Sequence, residues 1–310
     1  MITLPCRCSS MVEHGFRKAG VVGPTPTVGF VNLKDKYNLL QEILGGLGRV
    51  VVAYSGGVDS TFLLKVTVDT LGAENVLACI SAGPSLPKSQ YDRAIETAKK
   101  IGATVKIIET NEMADAKFTA NKADRCFHCK NHLLKTLTDI AKERNFYNVL
   151  VGNNFDDRSD FRPGSRAVKI FGARCPLAEA ELTKEDIRQL SRELDLPTAG
   201  LPASPCLASR ISYGQAITES RLNQIEQAEE FLKGLGLVEF RVRVHDNIAR
   251  IEVNLEDMEK VTTEPVMSAI VEKLKSLGFE YITVDLQGFR SGSLNEPLSA
   301  GQKRKALGLG

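Results

Sequence analysis

The chain has 310 residues, 43% hydrophobic and 25% charged, with 40 basic against 38 acidic side chains and a formal charge of +2. This is the composition of a soluble globular protein long enough for two domains, and no apolar run approaches the roughly 18–20 residues that span a bilayer. Tryptophan is absent and aromatic residues make up 6%, which argues against a stacking platform for single-stranded nucleic acid.

Residues 1–31 differ in character from the rest. Arg7, Arg17 and Lys18 against Glu13 give 3 − 1 = +2, the formal charge of the whole chain, so the remainder is neutral. "GVVGPTPTVGF" carries Gly and Pro punctuation without a period, and the stretch has neither the apolar core of a signal peptide nor an Arg-rich amphipathic face. A disordered or artefactual N-terminal extension is expected, and the mild basicity then carries no argument for a nucleic-acid partner. Of seven cysteines, Cys6 and Cys8 fall in this extension. The other five, Cys79, Cys126, Cys129, Cys175 and Cys206, fit reduced thiols in a cytoplasmic protein better than a disulfide framework.

From residue 33 the pattern alternates. "DKYNLLQEILGGLG" reads as a helix and "RVVVAY" as a buried strand. A turn "SGGVDS" leads into the helix "TFLLKVTVDTLG". Strands "NVLACIS" and "TVKIIET" flank the helix "KSQYDRAIETAKKIG", and helix "DRCFHCKNHLLKTLTDIAKERN" precedes strand "NVLVGNN". Val/Ile runs alternating with amphipathic helices predict an α/β fold: a parallel sheet with helices on both faces. Residues 156–182 are too polar and Gly-rich to predict an element, and "TKEDIRQLSRELDL" follows as a helix with a Thr N-cap. The three prolines of "PTAGLPASPCLASR" mark a joint. Beyond it, helix "TESRLNQIEQAEEFLKGLG", strands "FRVRVHD" and "IARIEVN", helix "EPVMSAIVEKLKSLG" and strand "YITVDL" predict a smaller α+β domain with a mostly antiparallel sheet. The expected division is residues 1–31, 32–197 and 198–310.

The turn "VVAYSGGVDST" is the strongest chemical signal. Ser55, Gly56 and Gly57 connect a buried strand directly to a helix, so backbone N–H groups converge on an anion at the helix N-terminus. Ser55 and Ser60 add hydroxyl donors, and Asp59 would hold Mg²⁺ or brace the loop. The Walker A lysine and the G-x-G-x-x-G pattern are both missing. The loop resembles the PP-loop of ATP pyrophosphatases, which implies ATP as a substrate, adenylation of a carbonyl or carboxylate oxygen, and release of pyrophosphate.

Cys126 and Cys129, in "RCFHCK", stand at i and i+3 of a predicted helix and share a face. Four readings stand: helix packing, a redox pair, half of a zinc site with His128, His132 or Cys175, or two anchors of an iron–sulfur cluster. Cys206, in "SPCLASR", is the candidate third thiol, with backbone amides and Arg210 available to a thiolate. Cys175 is a further thiol without an assigned role, and it keeps a zinc or four-cysteine reading open.

Taken together, "SGGVDS", "DFRPG", "GAR", "SPCLASR", "VRVHDNIARIEV" and "LQGFRSGSLN" resemble the LarE family, the ATP-dependent sulfur transferases that build the nickel-pincer nucleotide of lactate racemase. The resemblance runs from about residue 32 almost to the C-terminus. It implies a mononucleotide substrate, pyridinium-3,5-biscarboxylic acid mononucleotide, whose carboxylates are adenylated and become thiocarboxylates. One branch of the family sacrifices the sulfur of the cysteine matching Cys206. The other holds a [4Fe-4S] cluster on three cysteines, and Cys126, Cys129 and Cys206 match that pattern, with a sulfide donor as the implied partner. Arg210, Arg241, Arg243 and Arg290 suit phosphate and carboxylate oxygens, with Arg241 and Arg243 expected on one face of a strand. Glu229 and Glu252 match carboxylates that the family uses near phosphate and metal. Asp160 and Arg162 could orient ATP or substrate, and His245 beside Asp246 has the look of a catalytic pair, although a strand-end histidine is more often structural. A homo-oligomer is the expected assembly.

The rival readings are a PP-loop tRNA thiolase, an amidating PP-loop synthetase and an ATP-sensing module. The thiolase would want a basic RNA-binding surface, which a neutral body does not supply. The synthetase would ordinarily carry a glutaminase domain or an ammonia channel. The sensor has no need of three thiols.

Overall fold

In a computed structural model, residues 32–309 are described; the N-terminal extension lies outside them. The first half runs α1 (Leu33–Gly45), β1 (Val50–Ala53), α2 (Val58–Leu71), β2 (Val76–Ser81), α3 (Lys88–Ile101), β3 (Thr104–Ile108), α4 (Ala116–Thr119), α5 (Arg125–Glu143), β4 (Asn148–Val151), α6 (Ser165–Phe171), α7 (Pro176–Glu179) and α8 (Lys184–Glu193). Its four strands form a parallel sheet in the order β3-β2-β1-β4. Side chains alternate along each strand. Val50 and Val52 enter a core with α1, α2 and α3, while Val51 enters a second core with α5 and α6 on the opposite face. Helices on both faces let the strands be apolar throughout, as the sequence pattern required.

The stretch 156–182, read above as irregular, holds α6 and α7. Ala167 and Val168 bury against the sheet, and Gly172, at φ +62°, ends α6 in the left-handed conformation. Pro176 opens α7 at a position where its missing N–H costs nothing. Helices of seven and four residues are too short to display a period of 3.6.

The second half contains α9 (Glu219–Gly234), β5 (Phe240–His245), β6 (Ile248–Val253), α10 (Met258–Thr262), α11 (Val266–Ser276), β7 (Tyr281–Val284) and α12 (Ala300–Ala306). β5 and β6 pair antiparallel, but β6 and β7 pair parallel, so the sheet is mixed rather than mostly antiparallel. The connection between β6 and β7 carries α10 and α11, and a helical crossover of that length returns the chain in the same direction. Phe240, Val242 and Val244 face α9 and α11 in a third core.

The two halves share that third core. Phe118 of α4 is 1% exposed and packs with Ile217, Leu222 and Val242, although its own segment follows β3 of the first sheet. Backbone bonds reinforce the junction: the Ile217 N–H donates to Thr119 O at 2.9 Å and the Gly214 N–H to Asn121 O at 3.0 Å. Phe118→Ala should destabilise the protein by about 3–5 kcal/mol, because a fully buried ring is replaced by a cavity. Leu39→Ala, on a 40% exposed face of α1, should cost under about 1 kcal/mol. Chemical denaturation of both variants checks the contrast.

Candidate active site

β1 leads into the turn Ser55–Gly56–Gly57, and α2 starts at Val58. Gly56 has φ +71°, and a Cβ there would stand 2.5 Å from the Cβ of Ala94, so only glycine fits. Gly57 is the extended N-cap of α2 and supplies no side-chain cap, which leaves the first-turn N–H groups for an anion. Ser60 braces the turn: its Oγ donates to Gly57 O at 3.2 Å and accepts from the Ser55 N–H at 3.3 Å. The Ser55 hydroxyl lies 3.1 Å from it. Gln90 Nε2 donates to Ser55 O at 2.9 Å, and Ser204 Oγ donates to Gln90 Oε1 at 3.0 Å. The phosphate turn is thereby tied to the loop that carries Cys206.

Asp59 braces the loop from the start of α2. Its carboxylate accepts from Lys184 Nζ at 2.6 Å and from Asn154 Nδ2 at 3.3 Å. Among the described residues no group of three His, Cys, Asp or Glu side chains could hold a metal ion. Lys184 stands at the first position of α8, behind the Thr183 cap. It brings a lysine to a loop whose own sequence lacks one.

Cys126 is exposed near the start of α5, whereas Cys129 and Cys206 are half-buried at the margin of the third core. Cys206 precedes a short 3-10 turn, Leu207–Arg210. Arg125, 2% exposed, clamps the two segments together. It donates to Asn121 Oδ1 at 2.5 Å and to Ala208 O at 2.7 Å. Asn121, at φ +50°, donates in turn to Ser212 O at 2.9 Å. Burial pushes the Cys206 thiol up, while Arg125 draws it down and Cys126 pushes it up again. Burial, then Glu112 and then Cys206, push Cys129 well above the ordinary thiol range. Cys126 is thus among the charged neighbours of Cys206, and both Cys206 and Cys126 are among those of Cys129.

That neighbourhood adjoins the phosphate turn. Burial lowers the Lys130 ammonium, with Cys129, Cys175 and Asp157 among its charged neighbours. Asp157 in turn senses Asp59 and Lys184. Cys175 is another neighbour of Lys130, and burial raises its thiol. Arg162 pairs with Asp157 at 2.7 Å and with Asp160 at 3.2 Å. His128 and His132 pair with Asp124 at 3.5 Å and Asp115 at 2.8 Å.

The arginines lie differently from a solvated substrate-facing row. Arg210, Arg241 and Arg243 are 2%, 7% and 6% exposed, and all three grip the backbone around Cys206. Arg210 donates to Pro205 O at 2.5 Å and Cys206 O at 3.2 Å, Arg241 to Ala203 O, and Arg243 to Ser209 O at 2.8 Å. Glu229 and Glu252 are the counter-ions of Arg210 and Arg243. Glu229 takes a two-pronged contact from Arg210 at 2.9 and 2.8 Å, and Glu252 bonds Arg243 at 3.1 Å and Arg250 at 2.8 Å. Among the described residues no carboxylate forms an ion pair with Arg241. Its guanidinium lies 5.0 Å over the Phe289 ring, and burial, with Arg210 beside it, lowers its pKa to about 10. Arg290 sits at the rim, bonded to Glu296 at 3.1 Å. His245 bonds Ser212 Oγ at 3.0 Å, and Asp246 occupies the β5–β6 turn at φ +52°, so the histidine serves the strand end.

A family model for NAD synthase matches residues 37–152, the phosphate-turn half. A Synechocystis sp. protein described as uncharacterised is 40% identical over 267 residues, 86% of this chain and 99% of its own. The pyridinium-3,5-bisthiocarboxylic acid mononucleotide synthase of Lactiplantibacillus plantarum is 37% identical over 270 residues, covering 87% of this chain and 97% of that enzyme. The chain belongs to this LarE-type synthase family. It is an ATP-dependent PP-loop enzyme related to the LarE sulfurtransferase. The ammonia-dependent NAD⁺ synthetase of Fusobacterium nucleatum matches 56% of the chain at 27% identity, in keeping with the shared nucleotide half. Among the described residues no helix is long and apolar enough to cross a membrane.

Sequence reading missed Lys184, Glu112, Asn121 and Arg125. Each acts on a partner reached through the fold, and nothing in its local pattern announces that partner. The pKa directions have a measurable consequence for the thiols. With both pKa values raised, the thiolate fractions of Cys129 and Cys206 at neutral pH are smaller than for an ordinary cysteine. Iodoacetamide should therefore modify both slowly at pH 7, with rates still climbing above pH 9. Arg125→Gln removes a cation that lowers the Cys206 pKa, so it should slow Cys206 modification further, read peptide by peptide by mass spectrometry.

Proposed function

We propose that the chain adenylates the carboxylates of pyridinium-3,5-biscarboxylic acid mononucleotide with ATP and converts them to thiocarboxylates, with residues 32–197 handling ATP and 198–310 the mononucleotide. The observation that carries this reading is the 37% identity to the pyridinium-3,5-bisthiocarboxylic acid mononucleotide synthase over 87% of the chain, supported by a PP-loop tied to the Cys206 loop and by the buried arginines that hold that loop. A substrate carboxylate oxygen attacks the α-phosphorus of ATP, and pyrophosphate leaves into the N–H groups at the start of α2. Adenylation makes AMP the leaving group, so a sulfur nucleophile can displace it at the carbonyl carbon. Mg²⁺ enters as part of the ATP substrate. Arg241, the buried guanidinium without a carboxylate partner among the described residues, is the cation with charge to spare for the substrate's phosphate or carboxylate. Lys130, half-buried beside Cys129 and Cys175, supplies a further cation near the thiols.

The thiols suit a three-cysteine cluster in donor type, although among the described residues no three His, Cys, Asp or Glu side chains converge to hold a metal ion. They come from two segments clamped by Arg125, and Arg125 and Arg210 offset thiolate charge at Cys206. Cys126, Cys129 and Cys206 would hold a [4Fe-4S] cluster, which supplies a sulfur carrier with one iron left open by the lack of a fourth thiolate. The chain's own residues bind the anions, hold the Cys206 loop still and keep Cys129 and Cys206 out of bulk water.

Anaerobic purification followed by iron, sulfide and zinc analysis tests this assignment. About four irons per chain, with Cys206 intact after turnover, is the expected result. Loss of H₂S from Cys206 to give dehydroalanine would replace the cluster route with sacrifice of that cysteine, and stoichiometric zinc without iron would overturn both. Arg241→Ala should lower kcat/KM for the mononucleotide by about 10²-fold or more, in the range seen for loss of one preplaced donor. ATP–pyrophosphate exchange should keep its KM for ATP, since Arg241 stands on the second sheet.

A further inference from the structure

Glu112 opens a short 3-10 turn, Glu112–Ala114, after β3, and its side chain is 2% exposed. A buried carboxylate is costly unless donors meet its oxygens. Among the described residues no lysine or arginine forms an ion pair with it. Two uncharged donors meet it instead: Ser85 Oγ on Oε1, and Cys129 Sγ on Oε2 at 3.2 Å. The space is tight, since a Cβ at Gly83 would stand 3.1 Å from Oε1.

Each donor belongs to a different half of the thiol group. Cys129 lies in the second turn of α5. Ser85 lies between β2 and α3, and its backbone carbonyl accepts the Leu207 N–H at 2.8 Å, one residue past Cys206. One carboxylate therefore holds Cys129 directly and the Cys206 loop through a single intermediary. Packing alone does not explain the choice, because an apolar residue of similar size would fill the space without burying a charge. An acceptor with two oxygens at a fixed angle is what locating two donors relative to one another requires.

We propose that Glu112 is a positioning residue for sulfur transfer, setting the Cys129 thiol against the Cys206 loop by way of Ser85. The proposal rests on reading the three thiols as one sulfur-handling group, but its test needs neither cluster nor turnover. The full chain carrying Cys126→Ser, reduced and metal-free, is treated with dibromobimane. The rate of Cys129–Cys206 cross-linking is read by peptide mass spectrometry and normalised to single-site labelling by monobromobimane. Glu112→Ala and Ser85→Ala should each lower the normalised rate by about tenfold or more, since small misplacement of reacting groups has large effects on rate. The double variant should lose no more than the worse single variant, because the two residues act in series. Glu112→Gln, which keeps a planar head able to engage both partners, should restore most of the rate.

Unchanged cross-linking in a folded Glu112→Ala protein, or additive losses in the double variant, would overturn the proposal. If Glu112→Ala does not fold, Ser85→Ala decides alone, and an unchanged rate there overturns it equally. A protein that cross-links as expected but makes no thiolated product would instead count against the sulfur-transfer reading.

Discussion

Three guanidiniums buried to 7% exposure or less persist only because oxygen acceptors meet their N–H groups, and the rest of this site is built around meeting them. A buried charge without partners is among the costliest features a fold can contain. Here Glu229 and Glu252 supply part of the requirement, and the backbone carbonyls of the loop around Cys206 supply the remainder. The relation works in both directions. The loop satisfies the arginines, and the arginines hold an aperiodic, proline-rich segment in a single conformation. That mutual dependence fixes Cys206 more firmly than its own sequence could. It also concentrates positive charge beside Cys206.

A second constraint joins the two sheets. The segment from Glu112 to Arg125 belongs by sequence to the first half, but Phe118 packs in the core of the second, and Asn121 and Arg125 bond loops from both. Because this segment leads directly into α5, the thiols of that helix are set relative to Cys206 by packing rather than by a flexible hinge. The phosphate turn is tied in through Gln90 and Ser204. The phosphate turn and the Cys206 loop therefore share one framework of buried polar contacts, in which an interior of low dielectric strengthens each bond and raises the cost of losing it.

What was legible in the sequence follows from range. The parallel sheet was readable because continuous apolar strands between amphipathic helices have few other solutions. The phosphate turn was readable because Gly56 and Gly57 sit between a strand and a helix, and the crowding against Ala94 accounts for the glycine that pattern demands. The parallel pairing of β6 with β7 and the short helices α6 and α7 were not, since edge pairing and helices of one or two turns depend on neighbours. Arg241 and Arg243 were correctly placed on one strand face, but whether that face meets water, substrate or a loop is a property of what covers it. Burial likewise gave Glu229, Glu252 and Asp59 partners that residue type alone left open.

By itself, then, the sequence determined the class of fold, the phosphate-binding turn, and the identity of the thiols and arginines available for chemistry, because these depend on local period, on turn stereochemistry and on residue type. Only the tertiary structure decided which of those groups meet. It brought Lys184 to Asp59, Glu112 to Cys129 and Ser85, and Arg241 and Arg243 to the loop of Cys206, because contacts between residues 17 to 125 positions apart are set by how sheets and helices pack, which no local pattern encodes.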